Sequence, residues 1–210
     1  MTSSLRLPRT PLADAATAFV RELASPAIFH HSVRTYLYGR FLGQQVGMDG
    51  DYDDELFYLG AVLHDIGLTD RGDGEQRFEL DGADLAANHL REQGLSEDRV
   101  EVVWDAIALH TSPDLAARKR PEIALVSVGA GADLGGGPAA LPESFAELTG
   151  QQFPRLDVTT ALYDAIVGQA KRRPEKAPPF TLPGALLQQE TGVAWPTWSD
   201  LTTELGRSVG

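Results

Sequence analysis

Cysteine is absent from all 210 residues. Disulfide staples are therefore excluded, and so is any nucleophile or metal site built on a thiolate. A metal bound by this chain must use His, Asp and Glu, donors that suit Zn, Mn, Fe or Co. Long apolar runs are missing too: no stretch approaches the roughly 18 residues that a membrane span requires. The first two dozen residues lack the basic, apolar, small-residue order of a secretory signal, so the expected location is the cytoplasm, with no membrane partner. Cations are scarce, 18 Lys plus Arg against 30 Asp plus Glu, giving a formal charge of −12. A surface that acidic repels a phosphate backbone at long range and argues against nucleic acid as a partner. It leaves open a small-molecule substrate and a homo-oligomer. Strand signals are weak throughout, and no internal repeat is present.

What is present is a globular composition, 42% hydrophobic and 23% charged, long enough for one domain with a short appendage. Ser25-Pro26 is a helix start, a capping hydroxyl followed by Pro at the first position; the helix should run to Gln45 and stop at Gly47. Asp53 or Asp54 opens a second helix through Leu56, Leu59, Leu63 and Ile66, capped by Gly67. A polar loop follows. Asp81 is placed to cap a third helix ending at Gly94, and Ser96 a fourth carrying Val100, Val103, Trp104 and Ile107. A fifth, over 121–134, is almost wholly apolar or small and should be central, until Gly135-Gly136-Gly137-Pro138 breaks it. An amphipathic helix fits 157–172, and the Pro-rich stretch 174–183 reads as extended chain, with Trp195 and Trp198 beyond it as docking anchors. The expected organisation is a lead-in over 1–24, an all-α domain over 25–173 and an extended tail over 174–210 packed on it.

The chain has five histidines, His30, His31, His64, His89 and His110, all in predicted helices. His64 is followed directly by Asp65. Neighbouring helical residues project about 100° apart, so both reach one metal only at an open helix end. The stop at Gly67 puts them in the last turn, where the helix carbonyls also favour a cation. Taken alone, such a pair is more often a solvated helix end than a metal site. Periodicity does not choose between His30 and His31. His110 shares a stripe with Val103, Ala106 and Ile107, so a packed core histidine stands beside the reading as an active-site wall or proton relay. His89 reads as a helix-face residue. The clusters Arg118-Lys119-Arg120 and Lys171-Arg172-Arg173 read as helix-end charges.

The stretch Ala61-Val62-Leu63-His64-Asp65-Ile66-Gly67, with His31-Ser32-Val33-Arg34-Thr35-Tyr36 upstream and Ala130-Gly131-Ala132-Asp133-Leu134 downstream, resembles the HD superfamily of metal-dependent hydrolases. That resemblance implies an all-α helical bundle holding one divalent ion, zinc first with Fe, Mn or Co as alternatives, on His31, His64, Asp65 and Asp133. Two-metal relatives place an extra histidine just before a Gly-Ala like Gly82-Ala83, where this chain has Phe78-Glu79-Leu80-Asp81. Within the superfamily the chain is similar to cyanamide hydratase-like proteins through residues 31–39, Leu63-His64-Asp65-Ile66-Gly67, Arg77-Phe78-Glu79-Leu80-Asp81-Gly82-Ala83 and Ala106-Ile107-Ala108-Leu109-His110-Thr111. Those enzymes use zinc to add water across the nitrile of cyanamide, giving urea.

Two neutral imidazoles and two carboxylates make a near-neutral donor set that leaves a position for water and lowers that water's pKa. On this reading His110 handles protons, Asp70 and Arg34 assist catalysis, and Arg77 and Phe78 contact substrate. The loop 70–77 follows the metal pair and should border the site mouth, although each of its charged side chains is equally read as solvated. Three rivals remain: a nucleotide phosphohydrolase drawing its cations from Arg34, Arg71 and Arg77; a diiron oxygenase adding His89 and His110 as ligands; and a binding domain that keeps the metal for folding alone.

Overall fold

The computed structural model describes residues 5–48, 50–135, 141–200 and 202, and among these the elements are helices with no strand. In order they are α1 (Pro11–Leu23), α2 (Pro26–Gln45), α3 (Asp54–Leu63), α4 (Phe78–Glu92), α5 (Glu97–Leu109), the single turn α6 (Pro113–Ala116), α7 (Pro121–Asp133), α8 (Glu143–Gln152), α9 (Val158–Arg172) and α10 (Leu182–Thr191). None is long and apolar enough to cross a membrane.

Local signals set the starts. Ser25 accepts from the Ile28 N–H with Pro26 behind it, and Asp53 accepts from the Leu56 N–H, each satisfying a donor left open at a helix end. Every residue from Leu56 to Leu63 is buried. A helix that is apolar all round belongs in the middle, and α1, α2, α5 and α7 surround α3. The α2–α7 crossing is backbone against backbone. A Cβ on Gly39 would lie 2.4 Å from the Leu125 carbonyl oxygen, and one on Gly129 2.0 Å from that of Thr35.

Several elements differ from expectation. α3 ends at Leu63, and a 3-10 turn (Ile66–Leu68) follows, because Gly67 tucks under the start of α4: a Cβ there would sit 1.9 Å from the Phe78 carbonyl oxygen. α4 begins at Phe78 rather than at Asp81, whose carboxylate instead accepts from the Gln76 N–H and from Lys176 Nζ. Within the expected lead-in lies α1, which docks through small buried residues (Ala13, Ala16) and a 2.7 Å Thr17–Tyr58 hydroxyl bond. α8 is likewise an added helix.

The tail is more helical than expected. α10 is capped by Thr181 and ended by Gly192 in the left-handed region at φ 70°. The stretch before it is a short 3-10 turn (Pro174–Lys176). Trp195 packs on Phe180, whereas Trp198 is 81% exposed. Gly135 has a left-handed φ of 81° after α7; Gly136, Gly137 and Pro138 lie outside the described residues.

Candidate metal centre

α2, α3 and α5 meet so that His31, His64, Asp65 and His110 are all buried within one region. The ligating atoms of His31, His64 and Asp65 fall within 4.8 Å of one another, a spacing compatible with one metal ion. His64 Nε2 is 3.2 Å and His31 Nε2 3.5 Å from Asp65 Oδ2, and the two Nε2 atoms are 3.3 Å apart. The backbone fixes which nitrogen carries hydrogen. His64 Nδ1 donates to the Ala61 carbonyl at 2.8 Å and His110 Nδ1 to that of Ile107 at 2.6 Å, and a carbonyl can only accept. Each Nε2 is thus left with a lone pair aimed inward.

His31 Nδ1 is likewise turned to the Asp133 carboxylate, so lone pairs on His31 Nε2 and His64 Nε2, 3.3 Å apart, would repel unless a cation lies between them, and Asp65 Oδ2 is buried with no hydrogen-bond partner. Nitrogen donors in their ligating tautomer around an unpartnered carboxylate oxygen fit a divalent ion. The protein's charges keep the Asp65 carboxylate ionised, as a ligand must be, while without an ion His64 holds its proton more tightly than usual. Burial opposes ionisation of Asp65, but His64, then His31 and His110, hold its carboxyl well below the usual range. Burial would lower His64 as well, and Asp65 beside it more than reverses this. His110 is pushed down to about 4 by burial, reinforced by His64.

Asp133, the expected fourth donor, is placed differently. Its Oδ2 accepts from His31 Nδ1 and from Arg34, both at 2.7 Å, and its Oδ1 accepts from Arg34 Nε at 2.7 Å and Arg155 at 3.0 Å. Burial opposes this carboxylate, yet Arg34 and His31 hold it low. It stands behind His31, on the side away from His64, and orients that ring as carboxylates behind metal-ligating histidines do. Arg34 is likewise a rear residue, fully buried, its remaining nitrogen donating to the Phe153 and Pro154 carbonyls. His30 points elsewhere, bonding the Pro154 carbonyl beside Phe153, so His31 is the histidine of the cluster.

In front of the cluster opens a cavity of about 860 Å³ lined by His31, His64, Asp65, His110, Phe78 and Thr111, then by apolar residues of α2, α7, α9 and α10. Phe78 therefore sits where a substrate contact was expected, edge-on to His110 at 5.6 Å. Arg77 does not line the cavity and lies 3.4 Å from Glu79. Asp70 is exposed at the head of a 3-10 turn (Asp70–Gly72) and does not line it either. Its neighbour Asp73 folds the loop onto α9 and the turn beyond, pairing with Arg172, Arg173 and the buried Lys176. Lys171 and Arg172 do lie in the last turn of α9, as expected of helix-end charges, and Arg172 is also paired with Asp73. His89 stacks on Phe19 of α1 at 4.0 Å, remote from the cavity lining.

Two contributors escaped the sequence reading. Glu79 is fully buried, bonded by Thr111 at 2.7 Å, with Oε2 accepting no hydrogen bond though Arg77 Nε lies 3.4 Å away, and burial raises its pKa. Its position in Arg77-Phe78-Glu79-Leu80-Asp81-Gly82-Ala83 was the available signal. Arg155, which reaches Asp133 from beyond α8, stands in no motif.

No curated protein matches the chain. The model of the HD domain family matches residues 28–166, a span that includes His31, His64, Asp65, His110 and Asp133. With the helical bundle and the His-His-Asp cluster already in place, the chain belongs to the HD domain family.

Proposed function

We propose that this chain is a metal-dependent enzyme that adds water to a small uncharged molecule, with a nitrile-like group such as that of cyanamide as the leading substrate. The carrying observation is the convergence of His31, His64 and Asp65 at the inner end of a cavity that no Lys or Arg lines among the described residues. Family membership supports metal-dependent hydrolytic chemistry. His31, His64 and Asp65 would hold the ion, zinc by preference, with Asp133 and Arg34 fixing His31 from behind. Such an ion supplies Lewis acidity toward water and substrate.

The chain's own residues do the rest. His110 Nε2 is 3.7 Å from Asp65 Oδ1, and its opposite nitrogen is bonded to Ile107, so its free lone pair accepts a proton from water as the carbon–oxygen bond forms. The same nitrogen returns that proton to the substrate nitrogen, giving the imidic acid (isourea from cyanamide), whose O–H proton then shifts to nitrogen to give the amide or urea product. Ser127 donates to the His110 carbonyl at 2.8 Å and holds that backbone in place. The apolar walls limit competing water.

A nucleotide phosphohydrolase is the weaker reading. Of its three expected cations, Arg34 is neutralised by Asp133, Arg71 lies over the Phe19 ring, and Arg77 faces Glu79. A diiron oxygenase would need His89, which is stacked on Phe19. The test is turnover by the metal-supplemented protein on cyanamide, simple nitriles and nucleoside monophosphates. The expected result is hydration of the first two, with His110→Ala lowering turnover on the order of 10² to 10⁴-fold at unchanged metal content. Release of phosphate alone would overturn the proposal, and so would an inert protein that holds its metal.

A further inference from the structure

The cavity in front of the metal centre is far larger than the smallest nitrile requires. A water molecule occupies about 30 Å³ of liquid, and cyanamide has three heavy atoms, so it would leave almost all of the 860 Å³ unfilled. Volumes of this order suit ligands with a substantial body.

The lining decides what kind of body. Away from the histidines and Asp65, the walls are formed by such residues as Leu42, Val46, Val128, Leu162, Ile166 and Leu186. Among the polar side chains of the lining, Thr111 donates to Glu79, Ser127 to the His110 carbonyl and Tyr163 to Glu190, while Gln45 and Thr159 add two uncharged polar groups. Toward the rim the apolar side chains stay open to solvent, Val46 at 72% and Val128 at 44%. An exposed apolar trough is unfavourable unless something apolar covers it, and this one is continuous with the reactive centre.

Resting on the function proposed above, we infer that the substrate is a nitrile whose reactive head meets His31, His64, Asp65 and His110 and whose uncharged hydrocarbon body lies along the α2–α7–α9–α10 trough. The head supplies the chemistry and the body supplies the affinity. Cyanamide is then a fragment of the true substrate class, turned over with poor affinity.

The test uses the full metal-loaded chain and two graded series. Binding of acetamide, butyramide, hexanamide and octanamide, as product mimics, is measured by calorimetry, and turnover is measured on the matching nitriles. Affinity should rise roughly two- to fourfold per added methylene, from burial of apolar surface. Val128→Trp and Val46→Trp, both at solvent-open positions where the fold has room, should flatten that rise for the longest members. Affinity independent of chain length would overturn the inference, as would a rise that neither Trp variant changes. If cyanamide and acetonitrile turn over but binding is flat, the reaction stands and the apolar body falls. If amide affinity climbs but no nitrile reacts, the trough is supported and the reaction falls. Failure of every amide to bind, together with a shift from dimer to monomer in the Trp variants, would assign the trough to a second copy of the chain and overturn the inference.

Discussion

Behind His31 a buried carboxylate is bonded by one imidazole and two guanidinium groups, whereas in front of it, among the described residues, Asp65 is the one carboxylate lining the cavity and no guanidinium or ammonium group does so. The rear is a locked ionic network; the front is an apolar trough. The difference teaches how the two halves divide the work. The rear sets the orientation of a ligating ring and tolerates little change. On the proposed function, the front selects by shape and apolar surface and offers a charged substrate no Lys or Arg among the described residues.

Breaking the rear should have the largest effect. Arg34→Ala leaves Asp133 buried without its main partner, and removing one member of a buried pair costs about 3–5 kcal/mol. Urea unfolding of the metal-free protein should show that loss. The double change Arg34→Ala with Asp133→Ala should cost less than the sum of the single changes, since neither charge is then stranded. Additive losses would mean that the pair is not coupled.

Asp133→Asn is the next largest. It keeps the shape but weakens the hold on His31 Nδ1, so metal affinity should fall about 10- to 100-fold, as for other residues that orient a ligating histidine. Competition with a chelating dye measures it. Loss of all binding at saturating metal would make Asp133 a direct ligand instead.

The smallest effect sharpens the contrast between two buried carboxylates. Asp133 is held low by its cations, while Glu79, beside the cavity, is raised by burial. A raised folded-state pKa means that Glu79 contributes most to stability below the ordinary Glu range and loses that contribution as pH rises through its folded value. Glu79→Gln should therefore gain melting temperature relative to wild type as pH is raised from about 4 to 8. A difference independent of pH would mean that the fold does not shift the Glu79 pKa.

Much of this contrast was legible in the residues. The starts at Ser25-Pro26 and Asp53, the apolar run of α3, and the His64-Asp65 pair ahead of Gly67 are short-range signals, and short-range physics determines them. The motif order also singled out His31 over His30, and Phe78. What stayed hidden depends on distant partners. The tautomer of His64 rests on its own helix carbonyl, but the role of Asp133 rests on Arg34 from α2 and Arg155 from beyond α8, which no local pattern links. Asp70 reads as a site residue by proximity in sequence, yet the loop is pulled toward α9 by Asp73 and Lys176, which leaves Asp70 in solvent. The trough is assembled from side chains of four helices distant in sequence, and α10 itself was concealed by the Pro-rich stretch before it.

Elemental analysis of the purified chain, supplied with divalent metal and then desalted, tests the central claim most directly. The account predicts one tightly held ion per chain in the wild type and none in His64→Ala or Asp65→Ala, with all three proteins folded. Two ions per chain, or none in the wild type after metal has been supplied, would contradict it.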